Sequence, residues 1–373
     1  MSSLTNSGLG AVEASSSLSA GKNGISRKAG KLGIGVIGCG YWGPNLLRNF
    51  SDNRDCRLIG VADLNQDRLN WAQSRYPNIK ATTAIAEIIE NPEVDAVAIA
   101  TPVFTHFELA MRALRAGKHV LVEKPLCHRS DLARQLIEEA ERRNLTLMVD
   151  HTFIYTPAVR KIRQFIEKGE LGTIHYYDSA RINLGLVQAD VNVLWDLAVH
   201  DLSIIQFLFP AIPESVSATG MCHIEGRPET IAYLTLHYPT GLIAHVHVNW
   251  LSPVKVRRTL IGGSRKMVVY DDVEPTEKVR IYDSGVNLGS KQGIDKDGQP
   301  DYRLFIDYRK GDISIPHLDG KEALHVEVEH FVDCIRHNRA PLSGGPQGLQ
   351  LVRTLEAATQ SLRLKGQPIS LVD

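Results

Sequence analysis

Between Lys31 and Asp150 the chain alternates two rhythms. Short, continuously apolar runs (LGIGVIG from Leu32, RLIGVAD from Arg57, DAVAIATP from Asp95, KHVLVEKP from Lys118, LTLMVD from Leu145) are separated by stretches with a helical apolar period, such as FELAMRALRAG and SDLARQLIEEAERR. Strands that are apolar on both faces belong in a parallel sheet covered by helices on either side, so this half predicts a doubly wound α/β sheet. Past Asp150 the rhythm changes. TIAYLTLHY, LIAHVHVNWL and RRTLIGG follow with short turns such as PTG, which predicts hairpins in a large, mainly antiparallel open sheet. Helical patterns at ALHVEVEHFVDCIRHNR and GLQLVRTLEAATQSLR make this second half α+β. The first thirty residues show neither rhythm: rich in Ser, Gly and Ala, they offer too little apolar side chain to offset the entropy of ordering and are expected to form a flexible tail.

The junction after the first apolar run carries chemistry. In GIGVIGCGYWG, Gly38, Gly40 and Gly43 lie between a strand and a helix pattern, and Asp63 ends the next apolar run about twenty residues on. Each glycine has its own task in such a loop: Gly38 the turn, Gly40 close backbone approach to a pyrophosphate, Gly43 the packing of helix against strand. The helix N-terminus adds free N–H groups and a partial positive charge. A carboxylate at Asp63 accepts hydrogen bonds from ribose hydroxyls and repels a 2′-phosphate, which favours NAD over NADP; Arg68 is the one nearby basic residue that disputes this. The sheet is thus expected to be of the Rossmann type.

Charge narrows the partners. Lys plus Arg and Asp plus Glu both total 42, so no whole-chain footprint for nucleic acid or an anionic membrane exists, and an anionic ligand must be held locally. The five cysteines are scattered without the close pairs of zinc sites or disulfide frameworks, which suits a reducing cytoplasm. No run has the length of a membrane span or a signal peptide.

Two further sites stand out. Lys124 follows a strand at its carboxyl edge, where open α/β sheets place ligands, and its ammonium can stabilise a developing alkoxide. In VLWDLAVHDLSIIQFLF an apolar helical pattern is broken by Asp196, His200 and Asp201. Asp196 and His200, four apart, share a helical face, so the carboxylate is expected to orient the imidazole as a general base, with Asp201 left to a structural role. His245 and His247 alternate on one strand face without a third ligand, and no metal is expected.

These motifs together resemble the glucose-fructose oxidoreductase and inositol dehydrogenase (Gfo/Idh/MocA) family of nicotinamide-dependent sugar oxidoreductases. The resemblance rests on the glycine loop, on Ala100-Thr101-Pro102 with His106, and on Glu123-Lys124-Pro125, and it runs from about Leu32 to the C-terminus. It implies a catalytic set of Lys124, Asp196 and His200, and it adds Tyr41, Trp42, Thr101, Pro102, His106, Glu123 and Lys124 to Gly38, Gly40, Gly43 and Asp63 as cofactor contacts. Further segments (HTFIYTPAVRK, ARINLGLVQADVNVLWDLAVHD, NWLSPVKVRRTLIGG and the stretch from Glu322) resemble the branch acting on nucleotide-linked sugars such as UDP-N-acetylglucosaminuronate at the 3-position. Departures from that branch fall at Cys39, Ala198 and Ala323. The resemblance implies Lys124, Tyr155, Arg181, Asn183, His200, Lys255 and Arg257 as substrate contacts. The expected division is a tail over 1–30, an NAD-binding Rossmann domain over 31–150, and a substrate-binding and oligomerisation domain over 151–373, in a cytoplasmic homodimer or homotetramer joined through the second sheet. Alternatives are a dehydrogenase of a free sugar or cyclitol, and an NAD-binding sensor or scaffold without turnover; retention of all three catalytic groups argues against the last.

Overall fold

The apolar runs of the first half become the strands of a six-stranded sheet in a computed structural model that describes residues 30–372 apart from 186, 188–190 and 295–299. The expected tail, Gly30 excepted, lies outside the described residues. Strands β1 (Leu32–Ile37), β2 (Cys56–Ala62), β3 (Lys80–Thr82), β4 (Ala96–Ile99), β5 (His119–Glu123) and β6 (Leu147–Asp150) lie in the order β3-β2-β1-β4-β5-β6. Every pairing is parallel. The helices between them are α1 (Gly43–Asp52), α2 (Gln66–Arg75), α3 (Ala86–Ile89), α4 (Val103–Arg115) and α5 (Ser130–Arg143). Ile34, Val36 and Ile37 of β1 are all sealed from solvent, because neighbours cover both faces. The strand order reverses between β1 and β4, and there Gly38 and Ala100 meet. Gly38 has φ +95°, and a Cβ on it would lie 2.4 Å from the Ala100 carbonyl oxygen, so only glycine makes the turn.

A 3-10 turn (Thr152–Tyr155) and α6 (Pro157–Glu167) lead from β6 into β7 (Ile174–Leu184). A single π-helical turn (Leu194–Ala198) then opens α7 (Val199–Leu208). Strands β8 (Ser215–Met221), β9 (Ile231–His237), β10 (Ile243–Asn249), β11 (Leu251–Gly263), β12 (Met267–Asp271) and β13 (Val279–Tyr282) build the second sheet. The hairpin β14 (Gly285–Ile294) and β15 (Pro300–Arg309) stands apart as a two-stranded sheet, and β16 (Ile313–Ser314) borders β13. Helices α8 (Ala323–His337) and α9 (Gly345–Arg363) precede β17 (Ile369–Ser370). The nine-stranded order is β16-β13-β12-β11-β7-β10-β9-β8-β17, antiparallel except between β7 and β10.

Chain order and packing diverge at the end. Leu324, Val328, Phe331 and Val332 of α8 join the core on one face of the six-stranded sheet, where Phe331 meets Phe50 edge-on at 6.4 Å. Val352 of α9 joins the core on the other face. No helix among the described residues is long and apolar enough to cross a membrane.

Candidate active site

At the carboxyl edge of the first sheet the glycine loop is held by Asp63. Its Oδ2 accepts the Cys39 N–H at 2.6 Å and its Oδ1 the Asn65 N–H at 2.8 Å, while Arg68 Nη1 stands 3.6 Å away. A Cβ on Gly43 would lie 2.3 Å from the Gly38 carbonyl oxygen, so the helix starts tight against the strand. A Cβ on Gly40 would instead enter an open groove, with Arg68 Nη1 3.5 Å away. That groove, of about 520 Å³, is lined by Gly40, Tyr41, Asn65, Arg68 and Trp71 among others. Loop, helix N-terminus and groove fit a dinucleotide. Trp42 turns inward: its Nε1 donates to Asp150 Oδ2 at 2.6 Å.

Two neighbouring loops are tied to each other. His106 on α4 is buried, with Nε2 2.8 Å from the Thr101 carbonyl and Nδ1 2.9 Å from that of Pro125. Burial lowers its pKa, and the neutral ring has one N–H to give. The resemblance implies a cofactor contact here; the structure shows this imidazole enclosed between two backbone segments. The Lys124–Pro125 bond is cis. Thr101 Oγ1 bonds Thr105 Oγ1 at 2.7 Å, and Pro102 caps α4. Glu123, paired in register with Asp150, is held well above the usual carboxylate range, first by burial and then by Asp150.

Lys124 reaches across to the π-helical turn. Its Nζ donates to the Asp196 carbonyl at 2.9 Å and to Asp196 Oδ1 at 3.2 Å, and Trp250 Nε1 donates to Asp196 Oδ2 at 3.0 Å. The carboxylate therefore does not orient His200, as its spacing suggested: an ammonium and an indole N–H take both oxygens, and a neutral imidazole competes poorly with a cation. Such turns widen the helix and are frequent at functional sites. His200 Nδ1 is buried without a partner, and its ring meets Phe153 edge-on at 4.9 Å. Burial, then the positive charges of Lys124 and Arg181, hold its pKa well below the ordinary value, so it is neutral and able to accept a proton. His151, fully enclosed next to Lys124, is pushed down to about 3, and neither ring nitrogen has a partner.

Phe153 organises the far wall. Arg181 on β7 lies over its ring at 4.4 Å and Arg257, its register partner on β11, at 5.7 Å. Arg181 is buried and pairs with Asp201 at 2.6 Å, which gives Asp201 the structural role its position suggested. Arg257 Nη1 is 3.3 Å from Asp272 Oδ2. Arg181 Nη1, Arg257 Nε and Asn183 Oδ1 are buried without partners. Two further expected substrate contacts have different surroundings. Tyr155 is 1% exposed, its hydroxyl 3.2 Å from Ser343 Oγ and its ring against His330, because the 3-10 turn directs it into the core beneath the first sheet. Lys255 is exposed at the irregularity that shifts the register of β11 against β7. The sequence patterns do not mark Phe153, Trp250 or His151 as site residues. Their one signal was a polar or aromatic residue just past the end of a strand.

The chain matches a family model described as oxidoreductase family, NAD-binding Rossmann fold, over residues 32–151, and the GFO/IDH/MocA C-terminal domain over 159–269. UDP-N-acetylglucosamine 3-dehydrogenase of Acidithiobacillus ferrooxidans is 29% identical over 87% of this chain and 95% of its own length. Inositol 2-dehydrogenase 2 of Saccharopolyspora erythraea is 31% identical over 62% and 71%. The fold is shared with GenD2 from gentamicin A biosynthesis, solved in complex with NAD, at a TM-score of 0.76 and 22% identity over 92% of this chain and 97% of that one. With both of its domain models matched in sequence order, the chain belongs to the Gfo/Idh/MocA family of NAD-binding oxidoreductases and is a dehydrogenase acting on CH–OH groups.

Proposed function

We propose that the chain oxidises a secondary hydroxyl, at C3 of a nucleotide-linked sugar such as UDP-N-acetylglucosaminuronate, with NAD as the acceptor. One observation carries this reading: Lys124 is bonded to Asp196 at the carboxyl edge of the parallel sheet, and its charge reaches His200, whose Nδ1 is buried without a partner. In the oxidation the hydroxyl oxygen rests on the Lys124 ammonium, which lowers the energy of the developing alkoxide. His200 takes the hydroxyl proton. The bound dinucleotide supplies C4 of its nicotinamide as the hydride acceptor. Asp196 and Trp250 hold Lys124 in place and keep its charge where it is needed.

The nucleotide-sugar substrate is supported by the unpartnered donors of Arg181 and Arg257 beside Asn183, which suit phosphate or carboxylate oxygens. The name of the Acidithiobacillus relative points the same way, whereas that of the Saccharopolyspora relative points to a cyclitol. NAD is proposed over NADP because Asp63 is bonded into the loop and half-exposed Arg68 is paired with it. Assays of UDP-N-acetylhexosamines, the matching uronates and inositols with NAD and NADP test all of this. Turnover of the UDP-sugar with NAD is expected, and Lys124→Ala lowers kcat at least about a hundredfold while NAD still binds. Oxidation of inositol alone, or of any substrate by Lys124→Ala at the normal rate, would refute the reading. We further place the enzyme in the cytoplasm as a homodimer or homotetramer formed through the open face of the nine-stranded sheet. There exposed Tyr233 stacks on His247 at 4.4 Å, beside exposed Ile243. Light scattering at the mass of a single chain would contradict the assembly.

A further inference from the structure

Helix α8 carries a carboxylic acid where an apolar residue belongs. Glu327 is 0% exposed, on the face of α8 that bears Leu324, Val328 and Phe331, and neither of its oxygens has a hydrogen-bond partner as a carboxylate. Asp150 and Thr152 are the side chains that adjoin it and act on its ionisation. Asp150, 2% exposed, already accepts two short bonds: Trp42 Nε1 at 2.6 Å on Oδ2 and Thr152 Oγ1 at 2.6 Å on Oδ1. The other groups facing this pair add no counter-charge. Glu123 from β5 is acidic, Tyr155 from the 3-10 turn is held protonated, and His330 and Cys334 lie beyond Tyr155 on α8 itself. The Lys124 ammonium acts on Glu123 and is bonded to Asp196.

Two carboxyl groups in contact away from water hold one charge between them. The charge belongs on Asp150, which two donors stabilise, and the proton belongs on Glu327, which then donates to Asp150. Burial and the Asp150 charge both push the Glu327 carboxyl well above its usual range, in agreement with that placement. The chain of bonds ends on the cofactor loop. Trp42 immediately precedes Gly43, and its carbonyl accepts the Asn45 N–H at 2.9 Å, fixing the first turn of α1.

We propose that Glu327 is a positioning residue of the dinucleotide site: as a proton donor to Asp150 it holds Trp42, and through Trp42 the glycine loop, so that cofactor affinity is set from the C-terminal helix. This rests on the assignment of the glycine loop to a dinucleotide. The full-length chain is tested by calorimetric titration with NAD+ and NADH, alongside thermal melting and steady-state kinetics. Glu327→Gln, whose amide still donates to Asp150, keeps the wild-type Kd within about twofold. Glu327→Met packs but cannot donate; its Kd for NAD+ rises about tenfold, with kcat at saturating NAD+ within about twofold of wild type. Wild-type affinity weakens toward alkaline pH as Glu327 ionises, and the glutamine variant does not follow. Trp42→Phe, which loses the Nε1 donor, reproduces the loss of affinity and serves where the methionine variant does not fold. A folded Glu327→Met or Trp42→Phe with wild-type Kd would overturn the proposal. Failure of the wild-type chain to bind either form of the dinucleotide would overturn the loop assignment, and the proposal with it.

Discussion

Asp196 and Asp201 stand five positions apart, and each holds a different cation: Lys124 for the first, Arg181 for the second. The consequences of losing them differ. The Lys124–Asp196 pair is partly open to solvent, whereas Arg181 and Asp201 are 3% and 2% exposed and share a bond of 2.6 Å. Removing the anion of a buried pair strands its partner's charge, which costs about 3–5 kcal/mol. Asp201→Ala is therefore expected to lower unfolding free energy by that amount in urea titrations, and Asp201→Asn, which keeps an acceptor, by less. A loss below about 1 kcal/mol for the alanine variant would show that water reaches Arg181 and that the pair is no anchor for the far wall. Residue types and spacing gave Asp201 a structural role, while Lys124 and His200 were picked out through the resemblance to the family. Spacing could not say which cation Asp196 would choose, because Lys124 arrives from a strand 72 positions earlier.

Among the elements, the parallel strands were the most legible. β1 starts and ends where its apolar run does, at Leu32 and Ile37, because a strand buried on both faces leaves no polar position to blur it. The glycine loop was equally readable, since φ +95° at Gly38 excludes other residues at little cost only for glycine. The π-helical turn was not. Its apolar spacing, VLWDLAVHDL, fits an ordinary helix, and the extra width comes from tertiary demands on Asp196, whose carbonyl is taken by Lys124. The parallel pairing of β7 with β10 was likewise hidden, because alternation reports which face of a strand is buried and nothing about the direction of its neighbour. Helix α8 carries a further case. Glu327 is fully buried beside Asp150, and only the fold of the whole chain explains a carboxyl there.

Across the molecule the buried ionisable groups fall into two opposing sets, which gives stability a shaped dependence on pH. His106, His119, His151 and His200 are all held below 6.5 by burial, His119 to about 4 and His151 to about 3. Below pH 6.5 the unfolded chain takes up protons at these rings that the folded chain refuses, so stability falls as the solution becomes more acid. Each ring contributes up to about 1.4 kcal/mol per pH unit until its own folded pKa is reached. Glu123 and Glu327 have the opposite sign. Their folded pKa values lie well above 4.5, so above that pH the unfolded chain releases protons that the folded chain keeps, and stability falls as pH rises toward the folded values. Between pH 4.5 and 6.5 four rings oppose two carboxyls, and the rings win. Calorimetric melting should therefore give a Tm that climbs from pH 4.5 to 6.5 and then declines with comparable slope on the alkaline side, until the two carboxyls ionise in the folded protein. Glu327→Gln removes part of the alkaline decline and steepens the climb between pH 4.5 and 6.5, since the amide does not titrate. A Tm that stays level between pH 4.5 and 6.5 would mean that the histidines are charged inside the folded protein, and His200 would then be unable to accept the substrate's proton.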